Sequence, residues 1–129
     1  MRDAKEIDMP SRKTLFADID TMVPDAFARH LAENVTMRFG NAPAMRGRAA
    51  CRKAWADFCG LVDGVHHEVV NQWTVGDTTI AETAVTYTRR DGARVTVPVV
   101  TIYRAGGELI DEYRVFLDLT PVFAEKPPA

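Results

Sequence analysis

The stretch that decides the fold is "HHEVVNQWTVGDTTIAETAVTYTRRDGARVTVPVVTIYRAGGELIDEYRVFLDL", His66 to Leu119. It divides into four runs rich in Val, Ile, Thr and Tyr: "HHEVVNQWTV", "TTIAETAVTYTRR", "ARVTVPVVTIYR" and "ELIDEYRVFLDL". β-Branched and aromatic residues pack well on a pleated, half-buried surface, so each run is predicted as a strand. The separators are turn signals, "GD" at 76–77, "RDG" at 90–92 and "AGG" at 105–107, of the kind that close hairpins. Adjacent strands with links this short make a largely antiparallel meander.

Upstream of Gly64 the apolar residues follow a helical period instead. "SRKTLFADID" offers Ser11 as an N-cap before Leu15, Phe16 and Ile19. A second helix is predicted over "TMVPDAFARHLAEN", where Pro24 suits the first turn and Phe27 and Leu31 stand four apart. "VTMRF" then reads as a short strand and "GNAPAMRG" as an irregular loop. "RAACRKAWADFCGLV" returns to helix, with Cys51, Trp55, Phe58, Cys59 and Val62 along one stripe. Helices followed by a run of strands define an α+β domain, and helices laid across one face of a curved sheet enclose a cavity. The expected organisation is an extension over 1–10, one domain over 11–123 and a flexible tail over 124–129.

The 129 residues suffice for one domain with a real core. An apolar share of 47% and a charged share of 26% are those of a soluble globular protein. A net charge of -2 and scattered basic residues argue against nucleic acid or an anionic membrane as partner. No apolar run reaches the roughly 20 residues that span a bilayer, and the charged N-terminus "MRDAKEIDMP" lacks a signal-peptide core. Cys51 and Cys59 fall in one predicted helix, where eight residues at about 1.5 Å rise set them roughly 12 Å apart, too far for a disulfide. Reduced thiols point to a cytoplasmic home.

Several segments together carry a resemblance. "FARHLAENVTMRFGNAPAMRGRAA", "GVHHEVVNQWTVGD", "VTYTRRDGARVTVPVVTIYR" and "LIDEYRVFLDLTPVF" resemble the nuclear transport factor 2-like superfamily. Its SnoaL-like bacterial branch, related to polyketide cyclases and ketosteroid isomerase, is the most similar. The resemblance spans residues 12 to 123. It implies a cone-shaped, strongly bent antiparallel sheet wrapped around N-terminal helices (the cystatin-like architecture), an apolar pocket and a homodimer. Fold alone does not fix an activity. The general base of the steroid isomerases falls at Phe39, their second acid at Val100 and their oxyanion Tyr near Leu15. The acid–Arg pair of the related epoxide hydrolases falls at Thr83 and Val85, and the remaining acid at Val115. Neither known residue pattern is present.

Alternation along the last strand separates Tyr113, Val115 and Leu117 from Glu112, Arg114 and Phe116. The resemblance turns the Tyr113 face inwards, with Thr83, Val85 and Tyr87 from the second long strand and Val100 and Ile102 from the third. Phe39, Asn41 and Trp73 complete the expected ligand-binding set, although Trp73 also suits plain packing and Asn41 an Asx-turn. His67 is expected to share a face with Val69, Asn71 and Trp73, and serves there as acid/base or as donor to a ligand. Asp118 could act in the same role only if a bulge turned it inwards; otherwise it caps the strand end. Adjacent residues of "HHE" point to opposite faces, which argues against a metal site. Glu82 is expected to pair with Arg94 or Arg114, Arg89, Arg90 and Asp91 to be solvated, and His30 to sit on the surface or between helices.

The leading expectation is a protein that binds a small hydrophobic molecule in an apolar pocket, without cofactor. One alternative is a cofactor-independent cyclase, isomerase or dehydratase that uses His67 or Asp118 with Tyr87 or Tyr113 as donor. The other is a non-catalytic dimeric interaction module.

Overall fold

Among the described residues six strands form one sheet, in the spatial order Met45–Arg46, Leu31–Phe39, Ile110–Phe116, Arg94–Arg104, Thr78–Thr88 and Gly64–Val75. The computed structural model describes residues 14–125; the Ser11 cap and the extension over 1–10 lie outside them. Helix α1 (Leu15–Asp20) and the one-turn helix α2 (Pro24–Ala28) lead into β1 (Leu31–Phe39) and β2 (Met45–Arg46). Helix α3 (Arg48–Cys59) precedes the four long strands β3 (Gly64–Val75), β4 (Thr78–Thr88), β5 (Arg94–Arg104) and β6 (Ile110–Phe116). A last turn of helix, α4 (Thr120–Phe123), carries Pro121 at its start, where a missing N–H costs nothing. The result is the α+β architecture expected, a strongly bent, unclosed sheet wrapped around the N-terminal helices.

The second helix is much shorter than its sequence predicts. It stops at Ala28, and Leu31 instead opens β1, which lies parallel to β6 with Leu31 opposite Ile110. The Ile110 N–H donates to the His30 carbonyl at 2.8 Å and seals the junction. Phe27 and Leu31 are buried either way, so a spacing of four did not discriminate a helix from a helix–strand junction. Gly47, at φ 101, turns the chain into α3 and donates its N–H to the Val35 carbonyl at 2.7 Å. That backbone angle suits glycine far better than any other residue.

Alternation is strict along β4 and β5. Opposite residues on neighbouring strands share a face. Thr83 faces Val99, Val85 faces Val97 and Ala81 faces Thr101. The inner row of β5 is therefore Val95, Val97, Val99, Thr101 and Tyr103, all buried. Val100 and Ile102 pair with Glu82 and Ile80 on the outer face, so the expectation that they line the cavity is corrected. In β3 the pairing slips between Val69 and Asn71. A bulge of this kind reverses the phase of alternation beyond it. Trp73 and Asn71 consequently leave the face of His67 and join the outer face, where Trp73 is 51% exposed.

The core is built from the inner faces of the sheet and the apolar sides of α1, α2 and α3, with Leu15, Leu31, Val35 and Val85 fully buried. Each such side chain contributes about 1.5–3 kcal/mol of transfer free energy. Cys51 is buried, Cys59 is partly covered and both thiols are free. No helix among the described residues is long and apolar enough to cross a membrane.

Candidate functional site

Between the helices and the inner sheet face lies a cavity of about 420 Å³. Phe27 of α2, Met37 and Phe39 of β1, and Trp55 and Phe58 of α3 form one side. Val65 and His67 of β3, Tyr87 of β4, Val99 and Thr101 of β5, and Tyr113 and Val115 of β6 form the other. Ala42, Asp57 and Leu61 also line it and are exposed, so they mark the opening. The rings hold one another in place. Trp55 stacks on Phe58 at 5.5 Å and 14°, Phe58 meets Tyr87 edge-on at 5.8 Å, and Phe27 meets Tyr113 edge-on at 5.3 Å. The Trp55 indole nitrogen is covered and meets no acceptor among the described residues, so the ring carbons are what Trp55 offers to the void.

The polar feature of the wall is a histidine with a built support. Phe16 and Asp20 stand four apart on α1 and therefore share a face. Phe16 stacks on the His67 imidazole at 4.8 Å and 21°, and Asp20 Oδ1 lies 2.6 Å from His67 Nδ1. The second carboxylate oxygen accepts the His67 backbone N–H at 2.9 Å, satisfying a donor on an edge strand. An ionised carboxylate only accepts, so in the neutral imidazole the proton sits on Nδ1 and the lone pair on Nε2, on the opposite side of the ring. The His67 side chain is only 9% exposed. His66 is exposed and stands 3.6 Å from Asp20.

Two phenols share the cavity with His67. Burial pushes the Tyr87 phenol well above its ordinary value, and the Asp20 carboxylate adds to the effect. Burial also raises Tyr113, with Tyr103, Tyr87 and Asp20 adding to it and a hydrogen bond with Thr101 opposing it. Both remain protonated across the neutral range and can donate a hydrogen bond.

Of the residues singled out in the sequence, His67, Phe39, Tyr87, Tyr113 and Val115 are brought together around this cavity. Thr83 and Val85 are buried on the same sheet face, and Thr83 Oγ1 donates to the Val99 carbonyl at 2.9 Å. Leu117, Asn41 and Asp118 instead line a separate shallow cleft with Gly40 and Phe123. Asp118 is exposed there. Its carboxylate accepts the Thr120 N–H at 2.9 Å, which holds it below the usual carboxylate range together with the Thr120 side chain. No bulge turns Asp118 inwards: β6 ends at Phe116, and the acid accepts the Thr120 N–H two residues on.

Other placements differ from expectation. Glu82 accepts from Asn71 Nδ2 at 2.8 Å rather than pairing with an arginine. Arg89 is not a solvated turn residue; it folds back to donate to the Val122 carbonyl at 2.7 Å. Of the two places expected for His30, the structure has the packed one: it is buried, with Nε2 2.7 Å from Asp18 of α1.

Asp20 is the residue that sequence reasoning missed. The available signal was an acid four residues after Phe16 on the apolar face of the first helix, where an unpaired carboxylate would be costly. Among the described residues no group of three His, Cys, Asp or Glu side chains is placed to hold a metal ion.

Comparison with known proteins agrees with this architecture. A family model described as SnoaL-like domain matches residues 13–113. A ketosteroid isomerase-like protein from Catenulispora acidiphila, solved in complex with trimethylamine, superposes with a TM-score of 0.80 at 21% identity, covering 90% of this chain and 92% of that one. A protein of Jannaschia sp. CCS1 described as a SnoaL-like polyketide cyclase gives 0.76 at 19% identity, with 99% of each chain covered. SalBIII, an epoxide hydrolase/cyclase-like enzyme of pyran ring formation in salinomycin, gives 0.72 at 22% identity over 84% of this chain and 88% of its own. No curated protein matches the chain.

Proposed function

The chain belongs to the SnoaL-like domain family, and from that premise we propose that its cavity takes up a small, largely apolar molecule on which His67, oriented by Asp20, acts as general base. The observation that carries this reading is the 2.6 Å contact between Asp20 Oδ1 and His67 Nδ1 on the wall of an aromatic cavity. Neutral His67 offers Nε2 to a ligand proton, and the imidazolium that forms is stabilised by the carboxylate behind it. The protonated Tyr87 or Tyr113 phenol is the donor available to an oxygen on which negative charge develops. Returning the proton at a second atom gives an isomerisation or a ring closure; loss of a leaving group gives an elimination. Asp118 has no part in this scheme, because its carboxylate is committed to α4.

Native mass spectrometry of freshly purified protein identifies the co-purified ligand, and turnover of that compound is then followed. His67→Ala and His67→Gln are expected to reduce turnover at least a hundredfold, within the range of a lost general base, while the ligand still binds. Unchanged turnover in both variants would sink the acid/base role and leave the cavity as a binding site.

The outer sheet face supports pairing of two copies. Trp73, Ile80 and Ile102 lie in one cross-strand row and Val100 and Phe116 in the next, with Trp73 and Phe116 about half exposed. A contiguous apolar band of this kind is characteristic of a protein interface. The two free thiols support residence in a reducing compartment such as the cytoplasm.

A further inference from the structure

We infer that the ligand is a hydrophobic amine, held as an ammonium cation by the aromatic wall of the cavity and the Asp57 carboxylate at its opening. This rests on the cavity being the ligand site and concerns what that site selects. Six rings line the void, from Phe27, Phe39, Trp55, Phe58, Tyr87 and Tyr113. Aromatic enclosures attract alkylated ammonium groups through the negative potential of the ring faces, most strongly where water is excluded.

Charge points the same way. Among the described residues lining the cavity there is no Lys or Arg, whereas Asp57 stands at the opening and Asp20 lies directly behind His67. Asp57 is bonded by the exposed Lys53 ammonium at 2.9 Å. Burial is what chiefly keeps the Tyr87 and Tyr113 phenols protonated, and the Asp20 carboxylate adds to it. An anionic ligand would meet the Asp57 carboxylate at the mouth, where the Lys53 ammonium is already engaged by that carboxylate. A neutral hydrocarbon would fill the space without using the negative charge. An ammonium uses both, and one that carries an N–H also matches the free lone pair of His67 Nε2.

The test uses the full-length protein and three compounds of similar size and different charge. Benzyltrimethylammonium, its uncharged carbon isostere neopentylbenzene and the anion 4-tert-butylbenzoate are titrated by ligand-detected NMR at pH 7. The cation is expected to bind about tenfold or more tightly than the isostere, and the anion weakest. Asp57→Asn is expected to weaken the cation about threefold, as for loss of an exposed charge partner, and to leave neopentylbenzene unchanged. Equal or tighter binding of neopentylbenzene overturns the amine assignment and leaves the apolar-site reading standing. Tightest binding by 4-tert-butylbenzoate overturns it as well. Failure of all three compounds to bind overturns the amine assignment and the ligand site together.

Discussion

His67 and Asp20 stand 47 positions apart, yet each satisfies the other's polar atoms. The histidine was legible in "HHE" because alternation allowed only one of the pair to face inwards. The carboxylate was not, because nothing in a single helix states which strand its last residue will meet. Two measurements follow. Nitrogen NMR of the histidine rings is expected to show His67 as the Nδ1–H tautomer at pH 8; the Nε2–H tautomer would contradict the role assigned to Asp20. Asp20→Asn keeps the shape but replaces a charged acceptor with an amide that accepts at one atom only. Loss of a charge-assisted bond costs about 1.5–3 kcal/mol, read as a lower urea midpoint, and the tautomer preference of His67 is expected to weaken with it. Asp118 illustrates the reverse case. An eye-catching acid at a strand end proved to accept the backbone N–H two residues on, the ordinary Asx-turn use of Asp.

At the scale of elements, the four long strands and α3 follow from period and turn chemistry, whereas α2 was predicted too long. The face of β5 was also misjudged. Alternation sorts residues within one strand, but the phase between strands depends on the length of the turn joining them. Thr88 pairs with Arg94 across the 89–93 loop, so odd positions meet odd positions and Val99 and Thr101 turn inwards. The bulge in β3 then removes Trp73 from the inner face. The junction of α1 and α2 carries a pH dependence of its own. Burial works to raise the Asp18 carboxyl, but hydrogen bonds from Arg29 and His30 outweigh it and hold the group below its ordinary 3.8. A carboxyl lowered on folding stabilises the native state above its unfolded value and loses that contribution as pH falls through the folded one. Urea midpoints measured from pH 5 down to pH 2 are therefore expected to fall more steeply in the wild-type protein than in Asp18→Asn. Parallel curves would contradict the ion pair.

For the whole molecule, the outer apolar band predicts self-association. Sedimentation equilibrium is expected to give a dimer for the native chain and a monomer for the Trp73→Glu, Ile102→Glu double variant, with the secondary structure retained. A native monomer would contradict the assignment of this face.

The sequence by itself determined the α+β class and the meander. Those depend on local period and turn chemistry, which neighbouring residues set. Tertiary structure alone decided that Asp20 backs His67, that Thr101 and not Val100 reaches the cavity, and that Asp118 stays outside. Each of those outcomes depends on register, a bulge or a helix docking against a distant strand, and such long-range geometry leaves no periodic mark on the chain.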